Sequence, residues 1–357
     1  MIATIILGLF SVIFAYLVKY KNFHWGLKLS FALIFLFLSL RYNFGNDYKA
    51  YFNAFIEINR NSQIDIFNKT QQFEPGWVLL NWLFRSFGFF AMTAVLALLN
   101  CLIYYRFFKK YVPTKYYWLA TFLYIFNPEF MLIHSSAMRQ SIAIMLFVFS
   151  LDYLYQKNAI RYFLCIGVAA LFHSSALILL PIYLLGLWNW KISKVQRVIF
   201  ASLYVSLFLF GESLLPFLKQ FINKYFVKYN IYQNTGVTST GLGFLFLFAM
   251  LILTLYFEKY QNQRTSLIFK IAMINFIFMP LNLLIYSIAR VRMYFAPATI
   301  IVYPFILLNM KKSIGRIILF ILLFIFTIYG FFQFFYSDTW KDYFGIYQTI
   351  FSAQKWY

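Results

Sequence analysis

Long apolar runs alternate with short polar joints along this chain. Apolar stretches cover about Ile2 to Val18, a run ending at Leu40, Phe87 to Tyr105, and a climb to Asn127-Pro128. Others cover Ile142 to Tyr155, Val198 to Leu215, Phe244 to Phe257, Leu267 to Ile288, Tyr294 to Asn309 and Ile317 to Phe335. Many approach the roughly 20 residues that a helix needs to cross hydrocarbon. No strand-like alternation is visible, so the spans are expected to be helices. The pattern predicts an all-α, polytopic transmembrane helix bundle with about 12 crossings. Residues 1–357 read as a single integral membrane domain, with no internal repeat.

The polar joints set the orientation. Lys19, Lys21 and Lys28, then Arg106, Lys109, Lys110 and Lys115, then Lys157 and Arg161 recur as short basic clusters. The same holds for Lys191, Lys194 and Arg197, for Lys259 and Arg264, and for Lys311, Lys312 and Arg316. Clusters of this kind mark cytoplasmic loops. The N-terminus and the stretch from Arg41 to Phe52, RYNFGNDYKAYF, are then expected on the outer face. Residues 41–76 form the longest polar excursion. Within it Tyr48, Tyr51, Phe52, Phe55 and Ile58 recur at helical spacing and predict an amphipathic helix, capped by Asn46 or Asp47. Glu74-Pro75-Gly76 opens a further short helix, Trp77 to Phe84. Residues 219–242 read as a second outer-face loop, basic and aromatic.

The stretch from Tyr162 to Leu187 has basic residues on both flanks. That predicts a re-entrant helical hairpin with His173-Ser174-Ser175 at its turn, which is tolerated where protein or water surrounds it. A single helix kinked near Pro181 is the alternative, and it would invert everything downstream.

Composition sharpens this picture. Hydrophobic residues make up 63% of the chain and charged residues 11%, against about a quarter charged in soluble domains. The net charge of +21 does not indicate nucleic acid, because the basic residues sit between spans. Cys101 and Cys165 lie in apolar runs and read as thiols rather than a disulfide framework. The first span has neither a positive n-region nor a small-residue cleavage site, so a cleaved signal peptide is not expected.

In this topology every acidic residue except Asp152 and Glu258 falls on or near the outer side, with Arg41, Arg139, Arg290, Arg292, His134 and His173. Ionisable groups at membrane depth mark functional sites. Arginine suits phosphate because its planar fork donates two parallel hydrogen bonds. Arg41, Arg139 and Arg290 or Arg292 could therefore clamp a diphosphate, or else snorkel to lipid headgroups. Asp47 could act as a base or complement a helix dipole. His173 and His134 could accept a proton or serve as packing residues. There is no metal-ligand spacing, no Asp-x-Asp, no P-loop and no dinucleotide turn. The serines near the histidines lack the context of a nucleophile elbow. No cofactor and no metal is expected.

Five segments carry a family resemblance: Arg41 to Phe52, Glu74-Pro75-Gly76, Met138-Arg139-Gln140, Phe172 to Ala176, and Arg292 with Tyr294-Phe295. In this order they resemble the EpsG-type, Wzy-like bacterial polysaccharide polymerases. The resemblance implies a multi-pass protein of the bacterial cytoplasmic membrane whose active site faces outside. It implies a substrate, oligosaccharide linked to undecaprenyl diphosphate, whose glycan is transferred onto the non-reducing end of another lipid-linked unit. Asp47, His173 and His134 are then the candidate catalytic residues. Arg41, Arg139, Arg290 and Arg292 are candidates for the diphosphate, and Tyr48, Glu74 and Tyr294 for the sugar. Membrane lipids, a flippase and a chain-length regulator are implied as partners. Two other functions stay open at this point: a flippase or exporter of the same lipid-linked sugar, and a membrane glycosyltransferase using a lipid-monophosphate sugar.

Overall fold

The computed structural model describes residues 1–20, 23–60, 73–225, 241–284 and 286–352. It is almost wholly helical. Helix α1 (Ile2–Leu17) buries Thr4, Leu7, Gly8, Ser11 and Ala15 along one stripe, while Ile2, Ile6, Leu9, Phe10 and Ile13 are exposed. Small residues inside and large apolar residues outside is the order expected where lipid is the solvent and close approach drives packing. The stripe packs on α2 (Gly26–Leu40) and α6 (Tyr117–Phe126). Helix α2 in turn packs on α5 (Phe89–Tyr111).

Five described helices are long and apolar enough to cross a membrane, and six if the bent pair Ile288–Phe295 and Pro297–Asn309 is one span. The polytopic all-α class stands, whereas the count of about 12 crossings exceeds what helix length supports among the described residues. Helices α1 and α2 have 16 and 15 residues. At about 1.5 Å per residue they fall short of the roughly 30 Å of a hydrocarbon core.

By their contacts the described residues fall into two compact units. The first holds Met1–Leu154, Asn158–Leu180 and the chain from Leu323 onward; the second holds Tyr155–Lys157 and Pro181–Leu322. In the first unit the strand β1 (Arg41–Tyr42) follows α2 directly, and α3 (Tyr48–Arg60) is the expected amphipathic helix. Tyr48, Tyr51, Ala54 and Phe55 are its buried residues. Residues 61–72 of the 41–76 excursion lie outside the described residues. Next come α4 (Pro75–Leu83), α5, α6, α7 (Met131–Ser136), α8 (Met138–Tyr155) and α9 (Ala159–Phe172). Asn158 caps α9 by accepting the Arg161 amide at 3.1 Å. Asp152 ties α8 to α5 by accepting from Arg106 (3.0 Å), Lys110 and the Tyr111 hydroxyl (3.0 Å).

His173 ends α9 in an extended conformation, and a 3-10 segment, Ser174–Ile182, follows. The chain reverses here. The Tyr162 hydroxyl donates to the Leu179 carbonyl at 2.7 Å. A continuous helix would hold residues so far apart in sequence roughly 25 Å from each other. In the second unit, Tyr183 of α10 (Tyr183–Leu187) likewise donates to the Lys157 carbonyl at 2.7 Å. The hairpin solution is therefore the one adopted, rather than one long kinked helix.

The second unit is built on α13 (Gln263–Leu284), which packs against α11 (Lys194–Tyr225), α12 (Leu242–Phe257), α14 (Tyr286–Phe295) and α15 (Pro297–Asn309). Ser193 and Gln196 form a reciprocal capping box at the start of α11, with contacts of 3.2 and 2.9 Å, as a Ser-x-x-Gln spacing allows. Residues 219–225 of the expected loop at 219–242 continue α11, and 226–240 lie outside the described residues. The 51° bend between the last two helices falls at Ala296, before Pro297, whose ring cannot continue a helical hydrogen-bond ladder.

Helix α16 (Ile314–Tyr336) leads to α17 (Lys341–Phe344) and strand β2 (Gln348–Thr349). Strand β2 pairs antiparallel with β1, Arg41 opposite Thr349 and Tyr42 opposite Gln348. Gly45, at φ 125°, donates its amide to Tyr343 at 3.0 Å. Tyr347 stacks on Phe37 at 4.2 Å and donates to the Phe37 carbonyl at 2.6 Å. The amino group of Met1 donates to the Gly345 carbonyl. The N-terminus, the Arg41 stretch and the tail thus share one end of this unit.

Candidate active site

Four of the five motif segments meet in the first unit. Pro75 starts α4, with its fixed φ and missing amide suited to a first helical position. That leaves Glu74 as the N-cap, and its side chain makes no cap bond. The carboxylate turns instead to Arg139 at the start of α8, with which it forms an ion pair. Its other oxygen lies 3.8 Å from His173 Nδ1. Glu74 is 8% exposed and His173 6%. The Arg139 Nε donates to the Tyr51 hydroxyl of α3 at 3.4 Å, and the guanidinium stands 4.9 Å from the Phe73 ring. Burial pushes the Tyr51 phenol up, against the pull of Arg139, so it remains a neutral hydroxyl.

Packing fixes this geometry. Tyr51 and Trp77 rings lie 4.8 Å apart within a buried cluster that includes Tyr48, Phe55, Phe89 and Met138, with Phe172 against it. Gly76 lets α4 approach α9 closely. A Cβ there would stand 2.8 Å from the Leu171 carbonyl oxygen, and a backbone atom cannot swing aside. We expect Gly76→Ala to destabilise the protein by about 1–3 kcal/mol, read as a lower unfolding temperature in detergent, with a disproportionate loss of function because Glu74 and His173 flank the contact.

Arg41 has a different environment. Its Nη1 donates to the Leu38 carbonyl at 2.9 Å and its Nη2 to the Ser135 carbonyl at 2.8 Å. Arg41 and His134 line a cavity of about 30 Å³, room enough for water. The structure therefore presents Arg41 as a strut between α2 and α7. Tyr48 is a core residue, 1% exposed, whose hydroxyl donates to the Arg41 carbonyl at 3.1 Å. His134 is buried, its Nδ1 3.3 Å from the Tyr104 hydroxyl. Asn46 receives the Ser136 hydroxyl, and the Asp47 amide donates to the same oxygen at 3.2 Å. The half-buried Asp47 carboxylate acts electrostatically on Tyr51. Ala137 breaks the chain between α7 and α8, so Ser135 is not on the helix of Arg139.

Arg290, Arg292 and Tyr294 belong to α14 of the second unit. Arg292 is buried and donates to Asn275 Oδ1 of α13 at 3.0 Å. Arg290 is half-buried and Tyr294 is buried. Among the described residues no group of His, Cys, Asp and Glu assembles that could hold a metal ion. Sequence reasoning missed two contributors: Tyr51, noted only for its helical spacing, and the pairing of Glu74 with Arg139.

Fold and composition together define an integral membrane protein of the all-α class, with a buried polar centre in its first unit. The chain belongs to the EpsG family, whose model matches residues 24–349 and so takes in all five motif segments. EpsG is a Wzy-like polysaccharide polymerase family. No curated protein and no solved structure matches the chain.

Proposed function

We propose that this protein polymerises lipid-linked oligosaccharide repeat units at the outer leaflet of the bacterial cytoplasmic membrane. The carrying observation is the buried Glu74 carboxylate shared between Arg139 and His173, where four motif segments converge. The donor glycan is held on undecaprenyl diphosphate. A hydroxyl at the non-reducing end of a second lipid-linked unit attacks the anomeric carbon. The bond from that carbon to the diphosphate oxygen breaks, and undecaprenyl diphosphate leaves with the bonding pair.

Arg139 offers its fork to the departing diphosphate, where charge-assisted hydrogen bonds are strongest in a poorly hydrated site. As phosphate oxygens draw on the guanidinium, Glu74 loses part of its counter-charge and becomes a better base. It takes the hydroxyl proton, and His173 shares it. Tyr51 orients Arg139, and Asp47 adds negative charge nearby. Arg41 acts through the backbone it holds rather than on the diphosphate. A diphosphate leaving group needs positioning and charge stabilisation more than an added cofactor.

The outer-leaflet placement rests on Lys19 and Lys28 ahead of α2, and on the shared end of Met1, Arg41 and the tail. The exposed position 53 on α3 reports on it. Asn53→Cys is expected to react with an impermeant thiol reagent in whole cells; reaction only after lysis would invert the topology. The function itself is tested by reconstitution with purified lipid-linked repeat units and no other energy source. The proposal expects glycan lengthened by whole repeats. Translocation without lengthening would show a carrier, and addition of single sugars a glycosyltransferase of the lipid-monophosphate kind.

A further inference from the structure

The second unit contains a cavity of about 180 Å³ that plays no part in the proposed transfer. Lys157, Lys191 and Lys270 line it together with Trp188, Asn189 and Gln263. Three cationic side chains around one cavity repel each other unless anions offset them. The acceptors that position these amines are uncharged. Lys270 Nζ donates to the Trp188 and Trp190 carbonyls at 2.8 and 3.1 Å. Lys191 Nζ donates to the Gln261 carbonyl and, at 3.4 Å, to that of Glu258. The Lys157 side chain is exposed and no described residue pairs with it.

Among the described residues one carboxylate is paired with these amines, that of Glu258, fully buried and 3.9 Å from Lys191. Its two oxygens are already taken by the Ser266 hydroxyl and, at 3.2 Å, the Ile192 amide. Arg264 adds further positive charge, its guanidinium 4.7 Å above the ring of Tyr155, another lining residue. Four cations against one occupied carboxylate leave the cavity strongly electropositive.

We propose that this cavity binds a phosphate mono- or diester anion. Lys157, Lys191 and Arg264 come from three joints that the charge pattern assigns to the cytoplasmic side, and Lys270 follows the last of them by about two turns. Trp188 and Trp190 bring the aromatic rings that favour the headgroup level. The same chemistry is offered by an anionic phospholipid headgroup of that leaflet and by a free phosphate ester. Each of the two ammonium groups held by carbonyls has a spare proton to donate, which suits a phosphate better than a carboxylate-paired lysine would.

The test uses the purified full-length protein and counts bound molecules by native mass spectrometry. The probes are phosphatidylglycerol, diacylglycerol and inorganic phosphate. Gln263→Glu and Asn189→Asp each place a negative charge on the cavity wall at an exposed position. An acid in the first turn of α13 also suits the helix dipole, so Gln263→Glu keeps the fold. Each variant is expected to weaken phosphatidylglycerol or phosphate binding about fivefold. Phosphatidylglycerol that persists against excess inorganic phosphate assigns the site to lipid; displacement at comparable concentration assigns it to a free phosphate ester. Equal retention of diacylglycerol, or unchanged binding in both variants, overturns the proposal.

Discussion

Lysine at position 139 is expected to cut polymer formation about 10- to 100-fold at matched membrane abundance. The substitution keeps one positive charge beside Glu74 but removes the planar fork. Arg139 uses separate nitrogens for Glu74 and Tyr51, and a single ammonium on a flexible stem cannot hold both while receiving a phosphate. Charge-assisted hydrogen bonds are worth roughly 1.5–3 kcal/mol each, and about 1.4 kcal/mol is a tenfold change in rate. An arginine that merely snorkelled to lipid headgroups would tolerate lysine, since both reach the interface. Glycan length and yield from Arg139→Lys membranes decide between these. Wild-type polymer would remove Arg139 from the reaction.

Glu74→Gln is expected to have the larger effect, lowering both stability and transfer. The amide fills the same space but leaves Arg139 without its counter-ion. Breaking one side of a buried pair costs about 3–5 kcal/mol, and the lower end applies because the Arg139 side chain is 20% exposed. Loss of the proton acceptor is expected to slow transfer by at least about 100-fold. The two effects separate in the double variant Glu74→Gln with Arg139→Met. Replacing both partners of a buried pair by neutral groups restores much of the stability. A purely structural pair predicts that polymer returns with the fold. The proposed chemistry predicts a folded protein that still makes no polymer.

Local structure was legible from local features. The spacing of Tyr48, Tyr51 and Phe55 gave α3, and Glu74-Pro75 gave the start of α4. Basic flanks around Tyr162 to Leu187 gave the reversal at His173, because charge placement constrains which ends share a side. What stayed dark was long-range. Glu74 and Arg139 lie 65 positions apart, and nothing in either neighbourhood announces the other. The partners of Arg41, the carbonyls of Leu38 and Ser135, carry no sequence signal either. The pairing of Arg41–Tyr42 with Gln348–Thr349 involves two residues on each side, too short for any periodicity. The tail carries no such signal, yet Tyr347 and Phe344 pack against Phe44 at 5.3 and 5.0 Å.

Glycan transfer from a lipid diphosphate at the Arg139–Glu74–His173 centre has a fixed stoichiometry. It is tested most directly by counting products in reconstituted vesicles supplied only with purified lipid-linked repeats. One polyprenyl diphosphate is expected to be released for every glycosidic linkage formed, with both counts falling together in Arg139→Lys. Linkages formed without diphosphate release, or repeats carried across the bilayer with neither product, would contradict it.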